Sequence, residues 1–170
     1  AVATHKCIEI MAGYDQGISY IRTTRSATPV IYNNNEKFVI GGCKQVAWSA
    51  EDKICVVAAG ITVFEALKAH EQLQKEGISI RVIDCYSIKP LPIKDLVAAA
   101  QACGNRVITV EDHYPEGGLG EAVCAALADH TIKITCLAVK KLPRSGKPEQ
   151  LIAFEEIDAA AIVKAVKSMV

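Results

Sequence analysis

Apolar residues recur along this chain with two alternating periods, one typical of buried strands and one typical of amphipathic helices. A continuous apolar run predicts a strand buried on both faces at 54–60. Further strands are predicted at 78–85, 106–112 and 132–139, with a short strand at 44–49. Helical spacing of apolar residues predicts helices at 63–76, from 93 to about 104, at 119–129 and at about 158–169. Thr62 is the predicted N-cap of the first of these helices, with Glu65 at its capping-box position.

This alternation of strands and helices predicts the fold class. Strands joined in sequence by helices form right-handed βαβ units, which place helices on both sides of a parallel sheet. The predicted fold is therefore α/β: a three-layer sandwich with a mostly parallel, twisted sheet of about five strands and helices on both faces.

The pattern is different near the beginning of the chain. Residues 2–12 predict the end of an amphipathic helix, 17–24 alternate as in a strand, and 26–36 have the composition of a linker. One helix end and one strand cannot bury a core of their own. We therefore expect residues 1–30 to belong to a preceding domain that is missing here, and residues 31–170 to form one domain.

Composition and charge exclude several classes of function. Lys and Arg number 19, as do Asp and Glu, so nothing favours a nucleic-acid surface or a polybasic membrane patch. No apolar run reaches the roughly 18–20 residues of a membrane span. The seven cysteines include no CxxC pair, so a zinc site is not expected. We expect the cysteines to be buried free thiols, which favours a reducing compartment, the cytosol.

The segment TVEDHYPEGGLGEAV gathers acids, a histidine and glycines where a strand meets a helix. Glu111, Asp112 and His113 form either an acid/base centre or a polar strand end leading into a turn; the residues alone favour the turn. The glycines at 117–120 open a helix whose N–H groups can bind an anion. A dinucleotide motif would need a third glycine where Val123 stands, and Glu121 would repel a phosphate, so close packing of helix on sheet is favoured.

Basic residues supply the remaining candidates. Ser145-Gly146-Lys147 is followed by Pro148, which excludes a Walker A motif, and a solvated basic loop is expected, formed by Lys140, Lys141, Arg144 and Lys147. Arg22 and Arg25 end the strand predicted at 17–24, where arginines suit either a bidentate grip on phosphate or a surface ion pair. His70 lies on the inner stripe of its helix and is expected to be a core or interface residue rather than a catalyst.

Several stretches, taken in order, resemble the animal-type transketolases. They are VATHKCIEIMA, GISYIRTTR, IYNNNEKF, VVAAGITVFEAL, IRVIDCYSIKPL, TVEDHYPEGGLGEAV and LPRSGKPEQL. Related domains occur in the β subunits of 2-oxo acid dehydrogenases and in deoxyxylulose phosphate synthase, but the NNN and PRSGKP segments favour transketolase.

The resemblance implies a role for each part of the chain. Residues 1–30 would be the last helix and strand of the middle, pyrimidine-binding domain with a linker, and residues 31–170 the C-terminal domain. Members of the family are cytoplasmic homodimers that transfer a two-carbon ketol unit between sugar phosphates in the pentose phosphate pathway, using thiamine diphosphate and Mg²⁺ (or Ca²⁺). The GDG…N cofactor motif and the activating glutamate are absent here. No catalytic, cofactor-binding or metal-ligating residue is therefore expected in this chain, which would be inactive alone.

One substrate contact of the family falls within the chain. Thr24-Arg25 matches a Ser-Arg pair whose arginine grips the sugar-phosphate group, so Arg25 is the predicted phosphate-binding residue. The departure from the family pattern, Thr for Ser, leaves the arginine intact.

Two other interpretations remain open. The chain could be a stand-alone binding or regulatory module in which the glycine-rich turn and the basic loop bind an anionic ligand. It could also serve mainly as an oligomerisation surface, because the strand predicted at 17–24 has an unpaired edge.

Overall fold

The computed structural model describes residues 1–25 and 27–170. They form a five-stranded sheet of order β1-β3-β2-β4-β5, in which β1 is antiparallel to β3 and the other pairs are parallel. The strands are β1 Lys44–Ala47, β2 Ile54–Ala58, β3 Ile80–Asp84, β4 Arg106–Val110 and β5 Lys133–Leu137. The helices are α1 Val2–Ala12, α2 Ile61–Lys75, α3 Ile93–Ala102, α4 Leu119–Ala126, α5 Pro148–Phe154 and α6 Ala159–Lys167.

The two faces of the sheet carry separate cores, which confirms the predicted three-layer sandwich. Alternate residues of β2 point to opposite faces because the side-chain period of a strand is two. Val56 packs in a cluster with residues of α2 and α6, whereas Val57 packs with residues of α3 and α4. All five residues of β2 are buried, as its continuous apolar sequence predicts. Each fully buried aliphatic side chain contributes about 1.5–3 kcal/mol.

The start of α2 differs from the prediction. Its N-cap is Gly60, whose φ of +65° favours glycine, and neither predicted capping contact is made. The buried Thr62 hydroxyl donates to the carbonyl oxygens of Val110 (2.7 Å) or Ala59 (2.9 Å) instead. The Glu65 carboxylate accepts a hydrogen bond from the backbone N–H of Ala159 (3.0 Å), at the start of α6. The predicted capping box is therefore wrong, because tertiary partners occupy both side chains.

The strand predicted at 17–24 is also wrong. Helix α1 ends at Ala12, as expected, but the following residues pair with no strand among residues 1–25 and 27–170. Ile18 and Tyr20 are 101% and 83% exposed, respectively. A period of two predicts a side chain's direction, but a strand also needs a neighbour to bond with, and this chain supplies none there.

The basic loop ends in a short helix that the sequence pattern did not predict. Helix α5 begins at Pro148, where the missing N–H of proline is tolerated because the first turn has no internal acceptor for it. Seven residues are too few for an amphipathic repeat to be recognised. None of the helices in the described part of the chain combines the length and apolarity needed to cross a membrane.

Candidate functional site

The carboxyl end of β4 places Glu111 at the start of α4. Glu111 is 3% exposed, and its carboxylate accepts hydrogen bonds from the backbone N–H groups of Leu119 (2.6 Å) and Gly120 (2.8 Å). Burial raises the pKa of Glu111, and the two N–H donors partly oppose that rise. Glu111 therefore occupies the position where an external anion would bind the helix N-terminus. This contact supports the strand-end interpretation over the acid/base centre.

The glycines of the signature segment make this close contact possible. A Cβ on Gly118 would overlap the Glu111 carboxylate, and one on Gly120 would lie 3.0 Å from the Thr109 hydroxyl and 3.1 Å from the Cys136 sulfur. The packing interpretation of the glycines is thus supported. The Glu121 carboxylate accepts a hydrogen bond from the Gly117 N–H (2.5 Å), just before the helix. The role of Glu111 was missed because nothing in the local spacing shows that its side chain turns back toward α4.

Arg22 joins the N-terminal segment to the end of β4. Its guanidinium forms an ion pair with the Asp112 carboxylate and donates to the Asp112 carbonyl oxygen at 3.2 and 3.3 Å. Burial raises the pKa of Asp112, while the positive charge of Arg22 opposes the rise. Of the two interpretations left open for Arg22, the structure favours the ion pair.

A groove of about 390 Å³ lies beside this ion pair, at the carboxyl ends of β4 and β5. Its polar lining includes Arg22, Asp112, His113, Arg144 and Glu155, so it carries charges of both signs. Ligands of parallel α/β folds commonly bind at this edge of the sheet. The groove is therefore a candidate position for a small polar ligand.

The basic loop makes more internal contacts than a freely solvated loop would. The backbone N–H groups of Lys140 and Lys141 donate to the Glu155 carboxylate at 3.2 and 3.0 Å. The Lys141 ammonium lies 3.1 Å from the Glu156 carboxylate, and the Arg144 guanidinium lies 4.4 Å from the ring centre of Phe154. These contacts hold the loop against α5 and leave the remaining charge at the surface.

The other predicted residues are placed as follows. Arg25 is exposed, and its guanidinium makes no ion pair or hydrogen bond within residues 1–25 and 27–170, so its predicted role stays a prediction. Nδ1 of the partly buried His70 lies 3.0 Å from the carbonyl oxygen of Ile80, which agrees with a structural histidine. Among the described residues, no three His, Cys, Asp or Glu side chains come close enough together to hold a metal ion.

Comparison with known proteins decides the family. The family model described as "Transketolase, C-terminal domain" matches residues 44–162, which contain all five strands of the sheet. The chain belongs to the transketolase C-terminal domain family. This confirms the resemblance found in the sequence and the expected fold.

Similar proteins support the same assignment. Mouse transketolase is 49% identical over 170 residues, which are 99% of this chain, and human transketolase is 48% identical over the same span. The chain spans only 27% of the length of either relative. A solved structure titled "Split gene transketolase, inactive beta4 tetramer" superposes with a TM-score of 0.89 at 31% identity, covering 99% of this chain and 54% of that one.

Proposed function

We propose that this chain is the C-terminal portion of a cytoplasmic, homodimeric transketolase that transfers a two-carbon ketol unit between sugar phosphates in the pentose phosphate pathway. The observation that carries the proposal is 49% identity to mouse transketolase over 99% of the chain. Because the chain spans 27% of that relative, the catalytic parts are proposed to lie elsewhere in the complete enzyme. The 170-residue chain alone is then expected to be inactive.

Thiamine diphosphate and Mg²⁺ (or Ca²⁺) are proposed to bind outside this chain. The cofactor supplies the electron sink for ketol transfer, and its diphosphate needs a cluster of N–H donors and a metal. The one glycine-rich helix start here does not fit that group, because Glu111 already accepts from Leu119 and Gly120. A second anion at this position would face a buried carboxylate.

Arg25 is the residue through which we propose that this chain contacts substrate. Residues 1–30, the part proposed to belong to the middle domain, carry it on a segment that Arg22 fixes against Asp112. The Arg25 guanidinium is exposed and can present two parallel N–H donors to a phosphate. Arg22 would then position the segment, and Arg25 would bind the sugar phosphate.

Kinetics of Arg25→Ala in the full-length gene product test this role. We expect the KM for phosphorylated ketoses to rise about tenfold or more, since a charge-assisted contact is lost. The KM for a non-phosphorylated ketol donor should change little. Lys94→Ala is the control, because this lysine also carries exposed positive charge but lies on α3, outside the groove. An unchanged KM for phosphorylated substrates would refute the assignment.

A second candidate function, a stand-alone anion-binding or regulatory module, is favoured by the groove between Arg22 and Arg144. Calorimetry of the 170-residue chain with sugar phosphates and nucleotides distinguishes the two candidates. Micromolar binding that Arg144→Ala weakens would support the module. Absent or millimolar binding would leave the transketolase proposal alone.

A further inference from the structure

Two cysteines from different elements meet beside the signature segment. Cys124 lies on α4 and Cys136 on β5, and their sulfur atoms are 3.7 Å apart. Both thiols are free and partly exposed, whereas Cys55, Cys85 and Cys103 are buried. The two thiols line an open groove of about 270 Å³, whose other lining residues include Glu116 and Glu121.

The two sulfur atoms need to move only a short distance to form a covalent bond. A disulfide has a sulfur–sulfur distance of about 2.05 Å, so the two sulfurs must approach by roughly 1.7 Å, which side-chain rotation can share between them. Gly120 leaves room for the Cys136 sulfur, because a Cβ at position 120 would lie only 3.1 Å from that sulfur. The adjoining groove gives a small oxidant access to both sulfurs.

We propose that Cys124 and Cys136 form a reversible disulfide modification site. With a hydroperoxide as oxidant, one thiolate attacks the peroxide oxygen, the O–O bond breaks, and a sulfenic acid and one molecule of water or alcohol result. The second thiol attacks the sulfenic sulfur and releases water, so two thiols are oxidised by two electrons and the hydroperoxide is reduced. A dithiol reductant reverses the reaction by thiol–disulfide exchange.

The surroundings of the pair indicate slow oxidation at neutral pH. Burial, together with the neighbouring Cys136 sulfur, raises the pKa of Cys124 to about 11. Glu111, Glu116 and Glu121 also line the groove, and the Lys140 ammonium donates to the Cys136 carbonyl oxygen at 3.4 Å. Because the thiolate is the reactive form, the rate should rise with pH toward the raised pKa.

Peptide mapping of the oxidised full chain tests the site. The chain is treated with excess hydrogen peroxide, free thiols are alkylated, and the products are mapped under non-reducing conditions. We expect a mass loss of about 2 Da and a single cross-linked peptide pair joining Cys124 to Cys136. Dithiothreitol should restore two alkylatable thiols.

Single substitutions provide the controls. Cys124→Ser and Cys136→Ser should each abolish the cross-link, whereas Cys43→Ser, at a partly exposed cysteine away from the pair, should retain it. The map of the unsubstituted chain decides the question even if a variant does not fold. Sulfinic acid at either cysteine without a cross-link, a cross-link to another cysteine, or two thiols that stay alkylatable would each overturn the proposal.

Discussion

Glu111 shows how one side chain decides what a helix terminus can bind. The N–H groups of Leu119 and Gly120 donate to its carboxylate. Both residues are buried, so water cannot replace the carboxylate as their acceptor. Leaving a buried N–H without an acceptor costs about 1–3 kcal/mol. The glycines that make the segment look like an anion site are therefore needed for an internal carboxylate.

Substitution of Glu111 should consequently destabilise the domain. We expect Glu111→Ala to lower the free energy of unfolding by about 2–4 kcal/mol, because two buried donors lose their acceptor. Glu111→Gln, which keeps one acceptor oxygen, should cost roughly half as much. Urea unfolding measures both, with the exposed Glu121→Ala as control. Equal losses for Glu111→Ala and Glu121→Ala would contradict the capping role.

The buried carboxyl group of Asp84 makes stability depend on pH. Its Oδ2 accepts a hydrogen bond from the Tyr32 hydroxyl at 2.6 Å, and burial raises its pKa more than that bond lowers it. The native state therefore holds the proton more tightly than the unfolded chain does. The free energy of unfolding should fall as the pH rises from about 4 through the raised pKa. The total fall should be about 1.4 kcal/mol for each pH unit by which the native pKa of Asp84 exceeds its unfolded pKa.

Unfolding in urea between pH 4 and 8 checks this dependence on Asp84. Asp84→Asn, which cannot titrate, should remove the part of the fall in unfolding free energy that comes from Asp84. The control is Glu51→Gln, at an exposed carboxylate, which should leave the profile unchanged. If the free energy of unfolding depends on pH in the same way for Asp84→Asn and the unsubstituted chain, Asp84 does not contribute to the pH dependence.

At the scale of elements, the ion pair between Arg22 and Asp112 holds the irregular segment 17–24 against the end of β4. Arg22 is half exposed, so the pair should contribute less than about 1 kcal/mol to global stability. Its effect is expected to be local, because residues 17–24 have no strand partner among the described residues. Asp112→Asn should therefore leave the urea midpoint nearly unchanged while it loosens the segment.

Limited proteolysis measures that local effect. Trypsin should cleave Asp112→Asn severalfold faster after Arg22 or Arg25 than it cleaves the unsubstituted chain. Asp129→Asn, at an exposed aspartate of the same domain, serves as the control. Equal cleavage rates in all three proteins would mean that the ion pair does not restrain the segment.

The elements also show what the sequence could predict and what it could not. Strand β2 was predictable because burial on both faces leaves a continuous apolar run that is visible locally. The contact of Glu65 with Ala159 was not predictable, because it joins positions 94 residues apart and depends on how α2 and α6 pack. At the candidate site, Glu111 was recognised as a strand end. Its capping role could not be predicted, because it depends on where the start of α4 lies relative to the end of β4.

For the whole molecule, the N-terminal segment presents apolar side chains that the domain does not cover. Ile18 and Tyr20 lie in the irregular segment that follows α1, and both side chains are almost fully exposed. A segment that pairs with no strand among the described residues and carries exposed apolar side chains can add to a second chain. The chain should therefore associate with itself at high concentration.

Light scattering tests this association. We expect the mass of the chain to exceed 18.2 kDa increasingly as its concentration rises. Ile18→Ser combined with Tyr20→Ser should return it toward 18.2 kDa, because the apolar contribution to association, about 25 cal/mol per Å² buried, is removed. Leu142→Ser is the matched control, since that leucine is 86% exposed but lies on the basic loop. If the unsubstituted chain remains a monomer at the highest concentration reached, or if Leu142→Ser dissociates it equally well, the N-terminal segment is not the contact surface.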